Sequence, residues 1–139
     1  MDISEKAVAQ ARKLVSSRAK LTHEDSVAYL TQLVAKLSGE GKTIDLLYLD
    51  SFDVDWVYWQ PSAIHHLKEL CAAMRGIRKD TLVVVDDCPL EASYVNTQSK
   101  TDFVAGPFVG GKGRLVADFA GACGAKLHFA AYQAGWTGF

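Results

Sequence analysis

The chain has 139 residues, a length suited to one domain with a core that needs no disulfide or metal staple. Apolar residues make up 49% of it and charged residues 22%, with 11 glycines and 3 prolines, a composition that fits a globular fold and excludes disordered, collagen-like and coiled-coil classes. Fifteen basic and 16 acidic residues leave a net charge of -1 without long runs of either sign, so no broad field attracts a nucleic acid backbone.

The start, MDISEKAVAQARK, lacks the apolar stretch of a signal peptide, and no later window holds the roughly 18 apolar residues that span a bilayer. The expectation is a cytoplasmic protein without membrane or nucleic acid partners. Cys71, Cys88 and Cys123 cannot all pair within one chain and show no zinc spacing, so they are expected as buried thiols.

Ser4 to Arg18 places Ala7, Val8, Ala11, Leu14 and Val15 at helical spacing, with Ser4 positioned to cap, and predicts a helix packed on a sheet. Glu24, Asp25 and Ser26 then lead into a second helix through Leu30, Leu33, Val34 and Leu37, stopped by Gly39 and Gly41. Ile44 to Leu49 is a short apolar run that reads as a buried strand ending on Asp50.

Ser62 to Met74 reads as a helix with Ile64, Leu67, Leu70 and Cys71 on its inner face, and Glu69 as an ordinary solvent-facing charge. Thr81 to Val85 is a second buried strand, closed by Asp86 and Asp87. Cys88 to Gly111 reads as a long excursion with a short strand near Phe103 to Ala105. Gly113 to Ala122 predicts a further helix, and Lys126 to Tyr132 a final strand, with Ala134, Gly135 and Trp136 trailing it.

Strand, helix, strand succession points to an α/β fold with a mostly parallel sheet, flanking helices and right-handed crossovers. Ligands of such sheets bind beyond the carboxyl ends of the strands, where Asp50, Asp86 and Asp87 would emerge together. Three converging carboxylates repel one another unless protons or a hard divalent cation compensate them, which makes Mg²⁺ the natural candidate. The competing reading gives these aspartates to turns and to neighbouring amides.

Asp53 and Asp55 add oxygen donors nearby but lack the spacing of a calcium-binding loop. Of the adjacent His65 and His66, one could face the site; His23 and His128 have no close partner in sequence. Gly110, Gly111, Lys112 and Gly113 could present amides and one ammonium to an anion, although the full phosphate loop is absent. Trp56, Tyr58 and Trp59 form an aromatic patch beside the acidic turn, read first as packing or interface.

The segments DISEKAVAQARK, EDSVAYLTQL, IDLLYLDSFD and TLVVVDD, in that order, resemble the latter part of a class I S-adenosylmethionine-dependent methyltransferase. The resemblance covers most of the chain and implies a single truncated Rossmann-like methyltransferase domain over residues 1–139, without the first strand and its glycine-rich loop. It implies Asp2 as the ribose-holding acid, Asp25 and Ser26 near the adenine, and Asp50 beside the reactive centre.

The acidic pair after TLVVV is similar to that of the catechol-type, metal-dependent O-methyltransferases. This implies Asp50, Asp86 and Asp87 as Mg²⁺ ligands that orient the hydroxyl of a small substrate; general acid–base chemistry separately makes Lys112 or His65 the candidate to accept its proton. An amide usually stands second in that pair, whereas this chain has Asp87.

A sheet lacking its first strands exposes an edge that must be covered, so a homo-oligomer or partner chain is expected to complete the site. The alternative is a non-catalytic truncated domain serving as an oligomeric binding or interaction module. Metal-assisted hydrolysis at the carboxylates is a third reading.

Overall fold

The computed structural model describes residues 4–55, 58–89 and 109–139, together with the backbone of 93–96 and 101–104. Its first helix, α1, is Glu5–Ala11, capped by Ser4, whose hydroxyl accepts from the Ala7 amide. The predicted helix ran to Arg18; the regular helix ends at Ala11, Val8 is its one buried residue, and Leu14 is 87% exposed. The helical spacing of Leu14 and Val15 therefore marks no packed face.

Helix α2, Ser26–Gly39, forms as expected. The Asp25 carboxylate accepts from the Ala28 amide at 2.9 Å, and Leu30 and Val34 are buried one turn apart. Strand β1, Leu46–Leu49, alternates, burying Leu47 and Leu49 and exposing Leu46 and Tyr48.

Helix α3, Gln60–Ala73, carries Pro61 in its first turn, where no intrahelical N–H is needed. Its buried face consists of Ser62, Ala63, His66, Glu69, Leu70 and Ala73, while Ile64 is 44% exposed and Cys71 is exposed. The inner face expected from hydrophobic spacing is thus displaced around the helix, and it takes Glu69 from solvent into the interior.

Strand β2 is Leu82–Val85; β3, Ser93–Asn96, and β4, Thr101–Val104, form a separate antiparallel pair within the predicted excursion. Helix α4, Arg114–Cys123, ends on Gly124 in the left-handed conformation, a terminus that glycine adopts without a Cβ clash. Strands β5, Lys126–Ala130, and β6, Ala134–Thr137, complete the described elements.

The main sheet has the order β1-β2-β6-β5. Its β1–β2 pair is parallel and its other two pairs are antiparallel, so the sheet is mixed, which corrects the expectation of a mostly parallel, Rossmann-like sheet. The reason lies in the three residues between β5 and β6: a parallel crossover needs a dozen residues or more, and so short a link permits only a hairpin. The segment around Ala134, expected as a trailing tail, becomes β6 and inserts between β2 and β5.

Helix α3 packs against both α2 and α4. The main core joins Leu30 and Val34 of α2, Leu70 of α3 and Val116 of α4 to Leu47, Leu49, Val83, Val85 and Trp136 of the sheet. Strands β1 and β5 each have one pairing neighbour in the main sheet, so each has an open edge among the described residues. No helix among them is long and apolar enough to cross a membrane.

Candidate functional site

The carboxyl ends of β1 and β2 lie side by side because the two strands run parallel in register, with Leu49 opposite Val85. Asp50 and Asp87 then meet one cation, Lys112, delivered by the turn Gly111–Gly113 that leads into α4. Lys112 Nζ donates to Asp50 Oδ1 at 2.7 Å and lies 2.9 Å from Asp87 Oδ2. The lysine is only 2% exposed.

Burial alone would lower the Lys112 pKa, but the bonds to Asp50 and Asp87 outweigh it and raise the value above 10.5. A buried ammonium so paired holds its proton, which removes the physical basis for Lys112 as a proton acceptor and for the glycine-rich turn as an anion site. Asp87 reaches the lysine from a left-handed backbone, φ 47°, rare for a residue with a Cβ.

Asp86 turns elsewhere. Tyr48 Oη donates to its carboxylate, and the Asp87 amide donates to its Oδ1 at 2.8 Å. Burial pushes the Asp86 pKa up, yet these hydrogen bonds prevail and hold it below 3.8. The same contact, chiefly through the hydrogen bond to Asp86, pushes the Tyr48 phenol up to about 12.

The predicted metal set is therefore brought to one sheet end but is not assembled around an ion. Asp50 and Asp87 face an ammonium and Asp86 a phenol, and no group of three or more His, Cys, Asp or Glu side chains is placed to hold a metal among the described residues. The residues do not fit Mg²⁺, and the magnesium expectation is corrected: a lysine supplies the compensating charge.

Beside this ion cluster a polar network links α2, β1 and α3. Ser26 is buried, and its Oγ lies 2.9 Å from His65 Nε2 and 3.5 Å from Ser51 Oγ. Ser51 donates to Glu69 Oε1 at 2.5 Å, and His65 Nε2 stands 3.6 Å from the same oxygen. Because one nitrogen of His65 faces both Ser26 and Glu69, the trio lacks the two-sided imidazole relay of a nucleophilic hydrolase.

His66, fully buried, donates from Nδ1 to the Ser62 carbonyl at 2.8 Å, one turn back on α3. Its Nε2 and Glu69 Oε2 stand 3.9 Å apart, both buried and without a hydrogen-bond partner. Burial is the main cause that lowers the His66 pKa below 6.5.

Of the residues implied for a cofactor, Asp2 lies outside the described residues. Asp25 is exposed and uses one carboxylate oxygen to cap α2, while the Ser26 hydroxyl is turned inward toward His65. The described side chains thus do not compose a nucleoside cradle by themselves. Asp53 and Asp55 are exposed; Trp56 lies outside the described residues, and Tyr58 is 70% exposed.

A cavity of about 240 Å³ opens at this end of β1, walled by Leu30, Leu47 and Leu49 and by the polar groups of Tyr48, Asp50, Ser51 and Glu69. Glu69 and Ser26 are the functional candidates that sequence reasoning missed, Glu69 entirely and Ser26 in its contact with His65. The spacing of His65, His66 and Glu69 on one helix was the available signal. Comparison of the chain with protein-family models, curated proteins and solved structures returned no match.

Proposed function

We propose that the chain is a methyltransferase-like small-molecule binding domain whose ligand site, at the carboxyl ends of β1 and β2, is completed when a second copy covers the open edge of β1. The observation that carries this reading is the 240 Å³ cavity, because its walls come from the strand whose outer edge is unpaired. A strand apolar on both faces, as Leu46 to Leu49 is, belongs to the interior of a sheet. Here Leu46 is 58% and Tyr48 48% exposed, so pairing along β1 would bury apolar surface and satisfy open backbone groups together.

If the site transfers a methyl group, S-adenosylmethionine is the donor that the sequence resemblance implies. This chain's part is then to position the acceptor: Asp50 beside its polar end, with His65, 20% exposed at its side chain, as the base within reach of the network. No metal enters this reading. The non-catalytic reading, an oligomeric interaction module, is favoured by the Ser26 hydroxyl, which is committed within the protein.

The test is titration calorimetry with S-adenosylmethionine at protein concentrations that bracket self-association measured by sedimentation. Saturable heat that grows with the associated fraction supports the transferase reading, and association without heat supports the interaction module. A chain that stays monomeric and binds nothing overturns both. Leu46→Lys, on the exposed face of β1, should weaken association without disturbing the core.

A further inference from the structure

The two open edges of the main sheet are not alike. Strand β5 carries Lys126 at its start and a bulge between Leu127 and Phe129, both of which discourage a further strand. Strand β1 has neither: Leu46–Leu49 is uncharged and pairs with β2 without a break in register. The Leu82 amide donates to the Asp45 carbonyl at 3.0 Å, and the Asp86 amide to the Leu49 carbonyl at 3.1 Å. The odd-numbered residues therefore turn their backbone groups toward β2, and Leu46, Tyr48 and Asp50 turn theirs to the open edge.

We propose that two copies of this chain join β1 to β1, antiparallel, about a two-fold axis at Tyr48. The proposal deepens the reading above, on which it rests, by stating which strand of the second copy covers β1 and in what register. Opposed residues of antiparallel strands point to the same face, so the buried Leu47 and Leu49 can meet only residues of their own face. Centring on Tyr48 sets each Leu49 opposite Leu47 of the partner subunit, which adds that leucine to the apolar wall of the β1 cavity. Centring one residue earlier would set Leu49 against Asp45 of the partner subunit, and one later would set Leu47 against Ser51 of the partner subunit. Only the Tyr48 register matches leucine with leucine throughout, and it uses the edge-facing amide and carbonyl of Tyr48 in both copies.

The 15.1 kDa chain exposes 8488 Å², about 1,400 Å² more than a folded monomer of that mass, whereas a standard interface takes roughly 800 Å² from each partner. A β1 edge meeting a β5 edge would leave an edge free at each end and propagate into a filament. The lysine and bulge of β5 oppose that joint, and contact between like edges closes at two copies.

The experiment is amide hydrogen exchange, read by NMR on the full chain at concentrations either side of the association midpoint found by sedimentation. The expected result is a dimer as the largest species, with the Leu46, Tyr48 and Asp50 amides exchanging at least tenfold more slowly in it and the β5 amides unchanged. Leu46→Pro removes an edge donor that the monomer does not use and should weaken association at least tenfold; if it fails to fold, Leu46→Lys gives the same reading. Leu127→Lys, at an exposed position of β5, should leave association unchanged.

A chain that stays monomeric, or a dimer whose β1 edge amides exchange as fast as in the monomer, overturns the proposal. Larger oligomers with β1 and β5 amides both protected would overturn the two-fold joint and leave standing the reading that a second copy covers β1. A dimer with the expected protection that binds no S-adenosylmethionine would uphold the joint and overturn the transferase reading.

Discussion

Asp87 holds Lys112 twice: its carbonyl accepts the Lys112 amide at 3.1 Å, and its carboxylate lies 2.9 Å from the same residue's ammonium. The left-handed backbone at Asp87 allows both contacts from one residue and ties the end of β2 to the turn before α4. With Asp50 on the other side, the lysine joins three segments that are distant in sequence.

Lys112→Met should keep most of the packing of the lysine stem and leave two carboxylates without their cation. Loss of one partner of a buried pair costs about 3–5 kcal/mol, and the half-exposed Asp50 side chain reduces this to roughly 2–3 kcal/mol here. Urea denaturation measures it, and the loss should shrink in Lys112→Met combined with Asp87→Asn.

The His66 pKa, lowered by burial, gives stability a definite sign with pH. The unfolded chain takes up the His66 proton near 6.5 while the folded chain resists it, so this group's contribution falls as pH drops below 6.5 toward the folded value. Denaturation midpoints between pH 7.5 and 5 should decline less steeply in His66→Gln than in the parent chain.

Gly113 stands so close to Cys88 that a Cβ would collide with the Cys88 sulfur and press on Val109. Gly113→Ala should therefore cost about 1–3 kcal/mol, the usual penalty of an overpacked core. Removing the sulfur in Gly113→Ala combined with Cys88→Ala should recover part of the loss relative to the sum of the single variants, which a double-mutant cycle in urea reads directly.

The three thiols should separate cleanly by reactivity. Cys71 and Cys123 are exposed, whereas burial pushes the Cys88 thiol up to about 12, and its sulfur lies 3.3 Å from the Val85 carbonyl. Iodoacetamide at pH 8 should label two cysteines quickly and the third only at the rate of unfolding, as counted by mass spectrometry. Rapid labelling of all three would contradict the burial of Cys88.

The periodic segments were legible in the sequence. Helix α2 announces itself through the Asp25 cap and the Leu30 and Val34 spacing, and β1 and β2 through apolar runs that end on aspartate. Helix α3 misled because hydrophobic spacing assumes that apolar residues alone seek the interior. Here Ser51 and Ser26 offer hydrogen bonds that let Glu69 and His65 approach the core, and Ile64 is left at the surface.

The site was half legible. Convergence of Asp50, Asp86 and Asp87 follows from two adjacent parallel strands, but the identity of the compensating charge does not, because Lys112 arrives from a turn 62 residues beyond Asp50. The sheet's mixed direction was hidden for a related reason. A four-residue strand containing Gly135 carries little periodic signal, and only Phe129, whose ring occupies the space a Gly135 side chain would need, explains the glycine.

The insertion of β6 between β2 and β5 sets the order in which the sheet can be finished during synthesis. Of the four strands β6 leaves the ribosome last, yet it occupies an inner position, so β5 has no route to the rest of the sheet until β6 is made. The nascent chain must carry β1 and β2 as an unfinished pair until the residues up to Thr137 have emerged, and only then can the sheet close.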